Sequence, residues 1–212
     1  MIVNATPQQI EADKKSTLPG MYTFEMTIEE AQLFHKTIRD ARHYLEFGAG
    51  GSTFEVLIRS KARVWTVESS PDWVANMRSW DFISNAEREG RLTIEQVDIG
   101  KTGEWGNPME MDKRDLFPAY SSQVFSRHLV RFDTILIDGR FRVACALNSL
   151  LHCGLFTRFL IHDFWERPQY RVLLKYLDVK SYAGTLLVAG PKHGLDPAEI
   201  QSDIEQYQHI KD

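Results

Sequence analysis

Residues 44–53 read Tyr44-Leu45-Glu46-Phe47-Gly48-Ala49-Gly50-Gly51-Ser52-Thr53, and this stretch decides the fold. The residues leading in from His43 fit a buried strand, with one acid, Glu46, just before a turn. Gly48, Gly50 and Gly51 then make that turn tight, because glycine tolerates positive φ and has no Cβ to hold a ligand away. Ser52 and Thr53 suit the capping positions of a helix continued by Phe54-Glu55-Val56-Leu57-Ile58. A strand, a glycine turn and a helix N-terminus form the crevice in which α/β sheets hold nucleotide-like ligands.

Working outward, the same alternation repeats. Strands are expected at 43–47, 62–68, 91–98, 132–138 and 156–162, the fourth a continuous apolar run of the kind burial on both faces requires. Helices are expected between them at 52–60, from Ser69 through Trp80, at 116–130 and at 142–151, with a further helix at 169–177. A lead-in helix opens with the capping box Thr27-Ile28-Glu29-Glu30 and carries Ile28, Ala31, Phe34 and Ile38 on one face. Past residue 177 the pattern changes: 179–182 and 185–189 read as two strands joined at Ala183-Gly184, followed by a polar helix at 197–208. These units imply an α/β fold: a doubly wound, Rossmann-like, mostly parallel sheet with an antiparallel terminal hairpin strand. Residues 1–26 are expected to be an N-terminal arm, closed by Leu18-Pro19-Gly20, and 27–212 a single domain.

Composition narrows the class of protein. With 43% hydrophobic and 25% charged residues the chain can bury a sizeable core. A net charge of -4 gives no overall pull toward nucleic acid, and no nucleic-acid partner is expected. No apolar run is long enough to span a bilayer, and the polar start of the chain does not read as a leader, so a cytoplasmic protein without a membrane partner is expected. Cys145 and Cys153 lack metal-ligand spacing and read as buried thiols.

Acids end the first four strands: Glu46, Glu68, Asp98 and Asp138. In a doubly wound sheet these ends lie along one edge, where ligands bind. Glu68 lies 22 residues beyond Glu46, the spacing at which a carboxylate accepts from two ribose hydroxyls. The glycine turn with these four acids resembles the class I S-adenosylmethionine-dependent methyltransferases over about residues 27–191, the closing hairpin included. The resemblance implies S-adenosylmethionine as cofactor, with its methionine beside Glu46, Gly48, Gly50 and Ser52, its ribose on Glu68, its adenine near Asp98, and Asp138 at the reacting end. A nicotinamide dinucleotide is the rival. Its GxGxxG pattern would start at Gly48 and Gly50, but Thr53 stands at the third position, and Glu46 would face a pyrophosphate poorly while suiting a cationic sulfonium ligand.

Two further segments bear on the acceptor. Asp138-Gly139-Arg140-Phe141-Arg142 follows the fourth strand and Ile161-His162-Asp163-Phe164 the fifth. In the sugar and catechol O-methyltransferases of the resembled class, acids at these places hold magnesium, which implies a Mg2+ ion on Asp138 and Asp163. Arg140 and His162 stand where that pattern has acids, so metal-free transfer with His162 as general base stays open beside it. Asp138, His162 and Asp163 are thus the candidate catalytic residues. Arg140, Arg142 and Arg167 suit an anionic, sugar-like small-molecule acceptor, and Trp165 and Trp105 suit stacking on it. The plainer alternative for the arginines is a solvated surface paired with Asp133 and Glu166, and for Trp65, Trp73 and Trp80 the core. A methyl transferase acting on oxygen and a module that only binds the cofactor both fit these substitutions.

Overall fold

The computed structural model describes residues 5–211, so the first four residues of the expected arm and Asp212 lie outside the described residues. Seven strands form one sheet: β1 (His43–Phe47), β2 (Arg63–Glu68), β3 (Leu92–Gln96), β4 (Thr134–Ile137), β5 (Arg158–Ile161), β6 (Leu177–Ala183) and β7 (Leu186–Pro191). Their order is β3-β2-β1-β4-β5-β7-β6. The first five are parallel; β7 runs antiparallel to β5 and to β6. The chain order reverses between β1 and β4, which makes their carboxyl ends the switch point of the sheet.

Strand alternation sends side chains to two cores. Leu45, Phe47, Trp65, Val67, Ile135, Ile137, Phe159 and Ile161 face one layer; Tyr44, Val64, Leu136, Leu160 and Val188 face the other. The first layer is closed by α6 (Phe117–Arg127), α7 (Arg142–His152) and α8 (Pro197–Tyr207), with a 3-10 segment at Pro168–Lys175. The second is closed by α2 (Ile28–Ile38), α3 (Gly51–Arg59), α4 (Pro71–Arg78) and α5 (Asp81–Arg88). α7 is buried from Arg142 through Leu150, Cys145 included, whereas Cys153 beyond it is half-buried.

Four local expectations need correction. The helix expected from Ser69 through Trp80 is α4, which stops at Arg78; Trp80 lies outside it, as the N-cap of α5, a helix that was not expected, with its ring centroid 5.1 Å from that of Phe54. The helix expected at 169–177 is a 3-10 segment. β3 stops at Gln96, so Asp98 stands beyond the strand. Ser52 and Thr53 do not supply the N-cap of α3: Gly50 occupies that position, and its N–H donates to Thr53 Oγ1 at 3.1 Å.

The segment before residue 27 packs on the second layer. α1 (Pro7–Asp13) is followed by a turn in which Asp13 accepts from the N–H groups of Gly20 and Met21. Tyr22 stacks on Phe54 at 4.5 Å and donates to Glu55 at 2.5 Å. Thr23 and Phe24 run so close to Gly51 that any Cβ there would overlap the Thr23 carbonyl.

Glu30 fastens the terminal hairpin. It is 3% exposed, and its Oε1 accepts from the N–H and hydroxyl of Thr185, both at 2.7 Å, while Oε2 accepts from Thr27 N–H at 2.9 Å. Burial pushes this carboxyl up, but the Thr27 and Thr185 donors outweigh it and bring it down to about 2. The folded value is depressed, so the stability it contributes is present above the ordinary carboxylate range and is lost as pH falls toward 2. Glu30→Ala leaves the Thr185 N–H unpaired and is expected to cost roughly 2–3 kcal/mol, read by urea unfolding at pH 7. A loss under 0.5 kcal/mol would show that the hairpin turn is held by other contacts.

Candidate active site

At the switch point two turns press together. Gly48 has φ +98°, and a Cβ on it would lie 2.8 Å from Gly139 Cα and 2.9 Å from Gly139 N. Gly139 in turn packs under Tyr120, whose hydroxyl accepts from Arg140 N–H at 3.4 Å. Gly48 N–H donates to Val67 O and Asp138 N–H to Phe47 O, so both turns are pinned to the sheet. Gly50, by contrast, faces open space. The three non-glycine residues with positive φ among the described residues, Trp105, Phe141 and Asp163, all follow strand ends at this edge or lie in its long loop. Backbone strain of this kind gathers at functional sites.

Glu46 points to the α3 side of the sheet. It is fully buried, accepts from Ser52 Oγ at 2.8 Å and from Tyr44 Oη at 3.2 Å, and also takes the Thr53 hydroxyl. The first turn of α3 is thereby tied to the strand that precedes it. Burial pushes the Glu46 carboxyl up to about 7, against the Thr53 and Ser52 donors that hold it down.

Glu68 ends β2 at 7% exposure. Its Oε1 accepts from Ser69 and Ser70 N–H at 2.7 and 2.8 Å, and its Oε2 from Ala49 N–H at 3.3 Å. Burial raises its pKa above the ordinary value despite these donors. Gly106 of the 99–115 loop lies over it: a Cβ there would be 3.3 Å from Ser69 Oγ and 3.7 Å from Glu68 Oε1. Arg140 reaches the same loop, donating to Asn107 Oδ1 at 3.1 Å. Asp98 is exposed and accepts from Gly100 N–H at 2.8 Å. Trp73, expected in the core, is instead 42% exposed and donates from Nε1 to Ala49 O at 2.7 Å, at the rim of the glycine turn. Trp65 and Trp80 are buried as expected.

Asp138, His162 and Asp163 converge beside this crevice, each offering a ligand atom within 4.8 Å of the others. His162 Nδ1 lies 3.1 Å from Asp138 Oδ1 and 3.7 Å from Asp163 Oδ1, while Nε2 lies 3.8 Å from Glu30 Oε2. Burial alone pulls the imidazolium down, but Asp138, by hydrogen bond and charge, with Asp163 and Glu30 behind it, carries it above its ordinary value. Arg142, expected to meet an anionic acceptor, is 3% exposed and turned inward. Its Nη1 lies 3.3 Å from Asp138 Oδ1 and 3.2 Å from Asp163 Oδ2. A magnesium ion does not fit these residues, because the two carboxylates that would hold it already share a guanidinium. Arg167 approaches Asp163 Oδ2 at 3.4 Å from the outer side. Trp165 is 38% exposed and packs edge-on against Phe164 and Tyr182. Arg158 pairs with Asp133 at 3.6 Å, as the plainer reading of the arginines expects. Sequence reasoning missed Trp73, Tyr120 and Glu30 as neighbours of the site, none of which sits in a pattern that marks one; the long Gly- and Pro-rich loop at 99–115 does carry such a mark, but not that its Gly106 covers Glu68.

Seven strands in this order, with a reversed β7, define the class I S-adenosylmethionine-dependent methyltransferase fold. A methyltransferase-like protein from Silicibacter pomeroyi has this structure at a TM-score of 0.79 and 28% identity, over 89% of this chain and 97% of that one. An O-methyltransferase from Bacillus cereus in complex with SAH (S-adenosylhomocysteine) matches at 0.54 and 17% identity, over 87% and 88% of the two chains. A methyltransferase from Geobacter sulfurreducens matches at 0.50 and 11% identity, over 90% and 91%. No protein-family model matches the sequence, and no curated protein is significantly similar to it. Fold and neighbours together support methyl transfer. No helix among the described residues is long and apolar enough to cross a membrane.

Proposed function

We propose that the protein transfers the methyl group of S-adenosylmethionine to an oxygen of a small acceptor. The observation that carries this is the juxtaposition at one sheet edge of an open glycine turn at Gly50, a buried carboxylate at Glu68 and the Asp138–His162–Asp163 cluster. The crevice suits the cofactor: the backbone at Gly50 admits a close ligand, Glu68 is placed for ribose hydroxyls, and Asp98 and Trp73 flank the adenine end. Because Gly106 lies over Glu68, binding goes with displacement of residues 103–107.

When bound, the sulfonium supplies an already activated methyl group, so the protein's own work is alignment and proton removal. This chain's residues would hold an acceptor hydroxyl beside the bound donor and take the hydroxyl's proton onto the Asp138–His162 pair. His162 holds Asp138 through Nδ1, and the raised imidazole pKa gives the pair a place to keep that proton. With Arg142 turned inward and Arg140 buried against Asn107, acceptor recognition falls to Arg167 and Trp165, which fits an acceptor with an anionic group beside a ring.

A thermal-shift panel tests the reading. S-adenosylhomocysteine and S-adenosylmethionine at about 100-fold over their dissociation constants are expected to stabilise the protein by roughly 2.7 kcal/mol, and NAD to leave it unchanged. Glu68→Ala is expected to remove the shift. Transfer from labelled donor to a pool of small hydroxylated acceptors then tests the chemistry. A shift with NAD alone would sink the methyl-transfer reading; a shift with the sulfur nucleotides but no transfer to any acceptor would reduce it to cofactor binding.

A further inference from the structure

The Asp138–His162–Asp163 cluster has the donor set of a cation site, and a cation of the chain's own already stands in it. Arg142 follows Asp138 by four residues. The intervening turn passes through Phe141 at φ 52°, a left-handed conformation that costs energy in a bulky residue, before α7 begins. Beyond that turn the guanidinium comes back onto the end of β4. Nη1 lies 3.3 Å from Asp138 Oδ1 and 3.2 Å from Asp163 Oδ2, and donates to the His162 carbonyl at 2.9 Å. Nε donates to the Gly139 carbonyl at 3.0 Å. The side chain is 4% exposed. One guanidinium therefore ties the loop after β4 to the loop after β5, through two carboxylates and two carbonyls.

A buried arginine in such a place is a fixed charge. Guanidinium does not lose its proton in proteins, so its charge is not relieved by titration. Breaking a buried pair by removing one partner is costly, which holds Arg142 where it is. A divalent ion bridging the same carboxylates would have to sit at about 2.0–2.6 Å from their oxygens, against that permanent positive charge.

We propose that Arg142 is the resident cation of this site: a positioning residue that aligns Asp138 and Asp163 and excludes a divalent metal. The proposal rests on the methyl-transfer reading for what the aligned acids do, but its test reads metal binding and stands apart from that activity.

Manganese is the probe, followed by electron paramagnetic resonance and calorimetry on the full chain. Wild type is expected to bind no stoichiometric Mn2+, and chelator is expected to leave its S-adenosylhomocysteine affinity unchanged. Arg142→Ala is expected to gain one Mn2+ site with a dissociation constant of roughly 0.1–1 mM, the range of a weak carboxylate site. That site is expected to disappear on adding Asp163→Asn. A purely structural arginine would yield an unstable variant but no new metal site. Arg142→Gln, neutral and able to keep a bond to a loop carbonyl, takes the place of the alanine variant if that one does not fold. Stoichiometric Mn2+ on the wild type that Asp163→Asn abolishes overturns the proposal, and so does a folded Arg142 variant that binds none. Should wild type fail to bind either sulfur nucleotide, the methyl-transfer reading falls while the manganese result still decides the place of Arg142.

Discussion

Gly48→Ala is expected to lower stability by about 2–5 kcal/mol and to abolish S-adenosylhomocysteine binding. Two costs add at this residue. Its φ of +98° is strained for any residue with a Cβ. The new methyl group would also meet Gly139 Cα at 2.8 Å and Asp138 C at 3.0 Å, which are backbone atoms pinned by the Asp138 N–H bond to Phe47 O. Neither neighbour can swing aside as a long side chain would. Gly50→Ala is the informative contrast. Gly50 has an extended φ of 177° and faces open space, so alanine there is expected to change stability by less than about 0.5 kcal/mol. If that open space is where the cofactor lies, the same variant weakens S-adenosylhomocysteine binding by tenfold or more. Denaturant unfolding and calorimetry on the two variants separate a structural glycine from a ligand-facing one. Equal stability losses at both positions would mean that the turn is governed by backbone entropy alone and that the Gly48–Gly139 approach is not rigid.

The sheet was legible because its signals are local and repeated. Each parallel strand is a short apolar run, each is followed by a helical pattern, and Ala183-Gly184 marks the one reversal. The order of the strands was not legible: reversed β7 inserts between β5 and β6, so that β6 and not β7 is the edge. That Asp138, His162 and Asp163 come together was legible from the strand ends. What their side chains face was not. Arg142 and Arg167 look alike in sequence, yet one is buried against two acids and the other approaches from outside, because only the first begins a helix that is packed on all sides. Trp73 and Trp80 fit one amphipathic pattern, but the chain breaks between them without glycine or proline. Trp80 then packs on Phe54 while Trp73 is left at the rim of the glycine turn. Tertiary packing overrode local propensity there. The closeness of Thr23 to Gly51 is likewise a contact between distant segments that no pattern in either one announces.

Glu46→Gln is expected to reverse sign with pH. Burial raises the Glu46 carboxyl from 4.5 to about 7 in the folded chain. Below pH 4.5 the group is neutral whether the chain is folded or not, and it costs nothing. Between that value and about 7 the unfolded chain releases the proton while the folded chain keeps it, so the folded state binds more protons and stability falls as pH rises. Above about 7 both forms are ionised and the full penalty, about 3 kcal/mol, is present. Glutamine has no proton to release and escapes this slope. It does lose some of the bonding to Ser52, Thr53 and Tyr44, a loss that is the same at every pH. The variant is therefore expected to be no more stable than wild type near pH 5, and to gain on it by roughly 3 kcal/mol by pH 8, which for a chain of this size is on the order of 10 °C in melting temperature. Subtracting the two proteins at each pH cancels every other titrating group, including Glu30, whose slope runs the opposite way. A difference that stays flat from pH 5 to 8 would mean that Glu46 is ionised throughout, held by its hydroxyl donors in spite of burial. The tie between β1 and the first turn of α3 would then be a carboxylate's in the resting protein.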